Sequence, residues 1–277
     1  MKQKLPGFMV LAASLTFSNA MAADMAGLFG IGEFFDLDEG INAAGLAVGS
    51  LPDYSGSDDD EVGVAPVFRY YYSGRKYVEM LGPEMVVNIS DDTFLQYGPI
   101  GVYRFGREDI DDPVVDKMRD IDDTIELGFF VKNGMRFGQD PRHRLNIYGD
   151  VVFDVGNEHD GYLATARISY FTPVAKAMVF HVGAATTYAS SDFMDTNFSV
   201  DAADSALSGL PVYKASGDIR DYRVSFGFLQ HLSANWHVGA GGRYQSLRND
   251  AADSPVVKTR GDEDQWIYGA SLMYSWQ

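Results

Sequence analysis

The chain has 277 residues, no cysteine and a formal charge of −17, from 22 Lys+Arg against 39 Asp+Glu. That charge excludes a nucleic-acid partner, which needs a basic face to displace counterions. The missing cysteines exclude disulfides, thiolate zinc sites and a lipid-modified N-terminal cysteine, and 13% aromatic residues are too many for a disordered chain.

Lys2 and Lys4 open the chain, an apolar stretch runs from Leu5 to Phe17, and Ala20-Met21-Ala22 supplies small residues at a cleavage site. This is the layout of a secretory signal peptide over 1–22, cleaved near Ala22. Its removal takes two lysines and no acid, which leaves the mature chain at −19. Residues 23–277 contain no run of about 18 apolar residues that could form a spanning helix, so the exported chain is either soluble or a β-barrel.

Eleven segments in chain order carry strand signals, at 41–50, 62–72, 75–89, 93–105, 123–133, 143–154, 161–172, 177–189, 219–230, 234–247 and 265–276. Ile125, Leu127, Phe129 and Val131 alternate with Glu126 and Lys132. Leu145, Ile147, Gly149, Val151 and Phe153 alternate with Asn146, Tyr148 and Asp150. The last segment places Trp266, Tyr268, Ala270, Leu272, Tyr274 and Trp276 on one face, opposite Gln265, Ile267, Gly269, Ser271, Met273 and Ser275. Strict period-two alternation marks strands with one face in an apolar medium.

Aromatics sit at the ends of these faces, about eight residues apart in the last strand. At ~3.4 Å per residue and a ~40° tilt the span is roughly 20 Å, close to the ~25 Å apolar band of an outer-membrane barrel. Tyr162, Tyr170, Trp236, Tyr244, Trp266 and Tyr274 are therefore expected at the lipid interfaces. Arg104, Glu126, Lys132, Asn146, Asp150, Arg167, His181, Arg223 and Arg243 are expected to face the lumen, as a hydrogen-bonded plug or a pore lining. A soluble lipocalin-like barrel shares the alternation and stands as the alternative.

Single-chain bacterial barrels close with an even number of strands. A twelfth strand is expected at Phe193–Val200, in preference to Gly27–Leu37. The long connections, at 52–61, 106–122, 201–217 and 248–263, hold most of the acids. Long loops of such barrels face outward, yet this numbering puts 106–122 on the periplasmic side.

The acidic runs lack the order of acids and glycine of a calcium-binding EF-hand loop, so they read as solvated acids or as divalent bridges to lipid headgroups. None of the five histidines lies in a local catalytic or zinc motif. No catalytic, cofactor-binding or metal-ligating residue is assigned.

Five stretches carry a family resemblance. They are Pro52-Asp53-Tyr54-Ser55-Gly56-Ser57-Asp58-Asp59, Gly101-Val102-Tyr103-Arg104-Phe105-Gly106-Arg107, Ile121-Asp122-Asp123, Ser208-Gly209-Leu210-Pro211-Val212-Tyr213 and Ala252-Asp253-Ser254-Pro255-Val256-Val257. In this order they resemble the MipA/OmpV family, the MltA-interacting outer-membrane proteins. Two departures stand out: the chain ends Trp276-Gln277 where the family commonly ends in an aromatic, and 196–200 lacks the tyrosine–glycine pair often found there.

The expected fold is all-β, a transmembrane antiparallel up-and-down barrel of about twelve strands forming one domain. The resemblance implies a place in the outer membrane of a Gram-negative cell, in contact with lipid and lipopolysaccharide. For one branch of the family it implies a scaffold joining a murein lytic transglycosylase to a murein synthase. The expected role is accordingly a non-enzymatic scaffold or receptor with its longer loops as contact surface. A small-solute or antibiotic channel is the alternative, and a barrel enzyme a third.

Overall fold

The computed structural model describes residues 40–277. The expected leader at 1–22 and the alternative strand at Gly27–Leu37 lie outside the described residues.

Twelve antiparallel strands form a closed barrel in which each strand pairs with its neighbours in sequence and the last with the first. They are β1 (Asn42–Pro52), β2 (Asp60–Ser73), β3 (Lys76–Leu81), β4 (Glu84–Asn88), β5 (Leu95–Arg104), β6 (Thr124–Arg136), β7 (Arg144–Asp154), β8 (Tyr162–Ala175), β9 (Met178–Ala189), β10 (Asp218–His231), β11 (Trp236–Leu247) and β12 (Asp264–Trp276). Closure runs from Asn42 opposite Trp276 to Ser50 opposite Tyr268.

The alternation explains the wall. On β6, Phe129 is 69% exposed while Glu126 is 0% exposed; on β12, Leu272 is exposed and its neighbours Ser271 and Met273 are buried. The outward side chains form an apolar band, and the closed ring satisfies backbone groups that lipid cannot. Tyr244 against Trp266 and Trp236 against Tyr274 mark opposite edges of that band, each pair with ring centroids 5.2 Å apart.

Two expectations need correction. The segment 75–89 is not one strand: the chain turns at Gly82-Pro83 and returns as β4, so the twelfth strand comes from this hairpin. Phe193–Val200 is not a strand either, because Ser191–Phe198 is a helix, α1. Met194, Thr196, Phe198 and Val200 mimic a strand's period, but Ser190 caps the helix by accepting from the Phe193 amide and Asp201 caps the next one, α2 (Ala202–Ser208). α1 buries Phe193, Met194 and Phe198 beneath the loops, and α2 ends at Gly209 in the left-handed conformation, with φ of 80°.

The extra reversal settles the loop parity. The connections 53–59, 105–123, 155–161, 190–217 and 248–263 all lie at one end, opposite the end where β1 begins and β12 finishes. The β3–β4 hairpin is also short. Its last bond to β2 is from the Gly82 amide to the Pro66 carbonyl, so 60–65 of β2 are bonded to β1 alone. Pro66 marks where that pairing stops, consistent with the confinement of strand prolines to edges.

The long connections fold into a cap with its own core of Tyr54, Ile110, Val115, Met118, Val200, Leu210 and Val256. Two further helices belong to it, α3 (Asn249–Asp253) and α4 (Pro255–Arg260). α4 starts on Pro255 with Ser254 accepting from the Val256 amide, the usual economy for a first turn. Ser254 also donates to the Phe198 carbonyl at 2.6 Å, which ties α4 to α1.

Candidate functional site

The lumen is crossed by side chains at three heights. Near the turn end, Arg69 pairs with Glu79 and lies 4.3 Å from the Tyr77 ring centroid. At similar depth Arg144 lies 4.3 Å from the Phe171 centroid. Lys132 and Asn146 join this layer and line a lower cavity of about 540 Å³. Above it Tyr148 stacks on Phe130 at 5.9 Å, with the Arg167 guanidinium 4.4 Å from the Tyr148 ring centroid.

The middle layer is ionic. Arg104 donates to Glu126 through two nitrogens, at 2.6 and 2.8 Å, and His159 Nε2 lies 2.9 Å from the same carboxylate. Across the barrel Asp221 holds Arg220 at 2.6 Å and Arg223 at 3.0 Å, and Arg223 also meets Thr187. Fully buried carboxylates persist only with such donors. Phe193 of α1 sits among these groups, 5.2 Å from Arg104, 5.7 Å from Arg220 and 5.0 Å from His159. Asp150 and Glu84 line the adjoining cavity of about 660 Å³.

Beneath the cap is an upper cavity of about 800 Å³, walled by the end of β1, the end of β5, α1 and strands β10 to β12. Arg104, Arg220 and Arg243 line both this cavity and the middle one. Arg107 lies just past β5, where Arg107 and Ile121 exchange backbone hydrogen bonds at 2.7 and 3.3 Å. Its side chain donates to the Asn197 carbonyl at 3.3 Å and lies 6.0 Å from the Tyr54 centroid. Burial pushes its guanidinium down to about 10, so it remains a cation at neutral pH.

Of the residues expected in the lumen, Glu126, Lys132, Asn146, His181, Arg223 and Arg243 are buried, and Arg104, Asp150 and Arg167 are half-buried. Tyr162, Tyr170, Trp236, Trp266 and Tyr274 are exposed outside, with Tyr244 half-buried. Arg104 and Glu126 meet directly, whereas Lys132 and Asn146 belong to the lower layer. The reading by alternation missed Arg107, His159, Phe193 and Arg220. The first three lie on connections, where no period exists to reveal a direction. Arg220 sits at a break in register between Ile219 and Asp221. Among the described residues no cluster of three His, Asp or Glu could hold a metal ion.

All five family-like stretches contribute to this upper end. Asp53, Tyr54, Arg104, Arg107 and Ile121 line the cavity, Leu210 and Val256 fill the cap core, and Tyr213 donates to the Asp250 carbonyl at 3.0 Å.

A family model described as "MltA-interacting protein MipA" matches residues 44–276. No curated protein matches the chain. Among solved structures the chain is similar to OmpT, an outer membrane protein of Vibrio cholerae, at 11% identity and a TM-score of 0.36, covering 86% of this chain and 98% of that one. The translocator domain of autotransporter NalP from Neisseria meningitidis matches at 8% identity and a TM-score of 0.33, over 86% and 88% of the two chains. The Ralstonia pickettii toluene transporter TbuX matches at 10% identity and a TM-score of 0.34, over 86% and 89%.

Proposed function

The chain belongs to the MltA-interacting protein MipA family, and from that premise we propose that this outer-membrane barrel is a non-enzymatic scaffold or receptor for murein-remodelling machinery. The observation that supports the reading is the lumen, crossed by the Arg69–Glu79 pair, by Tyr148 on Phe130 and by the Arg104–Glu126–His159 cluster. A solute path needs a continuous aqueous opening, and paired, buried side chains favour a plug. What remains for function is the two ends.

A murein enzyme works in the periplasm, on the side of the short turns. The partner surface in this reading is therefore the turn end, where Arg75, Lys76, Arg136, Arg142 and Lys176 stand with Asp91, Asp92 and Asp140. This differs from the longer loops expected from the sequence, which face the other way and meet lipopolysaccharide. Capture from crosslinked envelopes tests it. A murein lytic transglycosylase or synthase should be recovered with the wild-type barrel and lost with Arg136→Glu/Lys176→Glu. Steady single-channel conductance in planar bilayers, with no enzyme captured, would instead establish the channel.

A further inference from the structure

We propose that the cavity beneath the cap is a binding site for a small monoanion with an apolar body, such as an aromatic carboxylate, held by Arg107. The wall combines apolar surface from Leu51, Phe105, Phe193 and Ile267 with the guanidinium of Arg107. A cavity of this kind, apolar with a few convergent polar groups, is the usual form of a small-molecule site.

Arg107 carries the argument. It is 7% exposed, and among the described residues it has one hydrogen-bond acceptor, a neutral carbonyl, and no carboxylate in ion-pair range. Other lumen arginines have their acids: Arg104 has Glu126 and Arg220 has Asp221. A buried guanidinium has five donors in a planar fork and is stable only when an anion or several acceptors meet them. The single carboxylate in the cavity wall is Asp53, whose oxygen is already engaged by the Asp111 amide at 3.0 Å. Against that one carboxylate the wall presents four guanidinium groups, Arg104, Arg107, Arg220 and Arg243, and Glu126 and Asp221, which pair with Arg104 and Arg220, stand behind it. A carboxylate head on Arg107 completes the fork in a bidentate pair, and an aromatic body lies against Phe105 and Phe193.

The site is independent of the scaffold reading, since it faces the opposite end of the barrel. It is tested on the full mature barrel in a zwitterionic detergent, by calorimetric titration with 2-naphthoate, its neutral counterpart 2-naphthylmethanol, and inorganic phosphate. Naphthoate should bind one site saturably, naphthylmethanol about tenfold or more weakly, and phosphate more weakly still. Arg107→Gln should lose tenfold or more for naphthoate and little for the alcohol. Arg107→Lys should lose less than Arg107→Gln. Heat-modifiable migration checks that each variant is folded, and Phe105→Ala, which keeps the charge, should weaken both organic probes. Equal binding of acid and alcohol, or unchanged affinity in Arg107→Gln, overturns the proposal. Partition into the micelle alone, unsaturable and identical in all variants, also overturns it.

Discussion

Arg260 at the end of α4 grips Asp112, 148 residues earlier in the chain, through Nε at 3.0 Å and Nη2 at 2.6 Å. The pair staples the β5–β6 connection to the β11–β12 connection over the cap core. Asp112 also accepts the amides of Val114 and Val115, at 2.8 and 2.9 Å. Burial pushes this carboxyl up, but Arg260 and the two amides outweigh it and hold it below the ordinary carboxylate range.

A carboxyl with a depressed folded pKa contributes stability that is complete above its unfolded value, near 3.9, and is lost as pH falls through the lower folded value. The cap should therefore resist proteolysis equally at pH 7 and pH 5.5 and loosen below about pH 4. Arg260→Gln should loosen it at neutral pH by about 1–2 kcal/mol, because Asp112 is buried while Arg260 is partly screened by solvent. Limited digestion that releases cap fragments while the barrel stays heat-modifiable measures both effects. Equal cap resistance at pH 3.5 and pH 7 in the wild type would remove the latch.

The lipid face makes a sharper demand. Leu272→Arg should block assembly, since Leu272 is 50% exposed near mid-strand and a midplane arginine costs roughly 2–4 kcal/mol. Tyr268→Arg, closer to the Trp266 edge, should be milder. Arg243→Gln should fold, because the lumen offers Gln245, which now accepts from Arg243 at 3.3 Å. The folded fraction in lipid ranks the three. Normal folding of Leu272→Arg with failure of Arg243→Gln would invert the faces.

The half-height hairpin leaves a signature on β2. Gly82 donates to the Pro66 carbonyl at 2.8 Å, so even-numbered residues of β2 direct their backbone groups toward β3, and odd-numbered ones toward β1. Above Pro66 there is no β3 to meet them. Val62 and Val64 amides should exchange with deuterium faster than those of Gly63 and Ala65. Val64→Pro should be tolerated, whereas Ala65→Pro should cost about 1–3 kcal/mol by leaving a ladder acceptor on β1 unpaired. Slow exchange at Val64 would mean that another segment covers this edge.

The middle layer should respond asymmetrically to its members. Glu126→Leu strands both Arg104 and His159 and should cost about 3–5 kcal/mol. The double change Glu126→Leu/Arg104→Leu should recover part of that loss, since one buried charge goes with its partner. Denaturant unfolding in detergent reads both. A double variant no better than the single would place the cost in packing against Phe193 and not in charge.

The amino-acid order by itself determined the wall. Whether Leu127 or Glu126 faces lipid depends on a side-chain period of two and on the transfer of one side chain, both local properties that need no partner to be read. The family motifs were equally legible as strings. The tertiary structure alone decided that 75–89 breaks at Gly82-Pro83, because the apolar alternation continues through the turn and nothing local marks the reversal except that dipeptide. It decided that 193–200 coils, because Met194 and Phe198 satisfy a helical and a strand period alike and the caps at Ser190 and Asp201 tip the balance. It also decided which charges meet. Arg107 lies 90 residues from the carbonyl it bonds, His159 lies 33 from Glu126 and Arg260 lies 148 from Asp112. Such pairings arise only when barrel closure brings distant connections to one end, where the cost of burying a charge selects its neighbours.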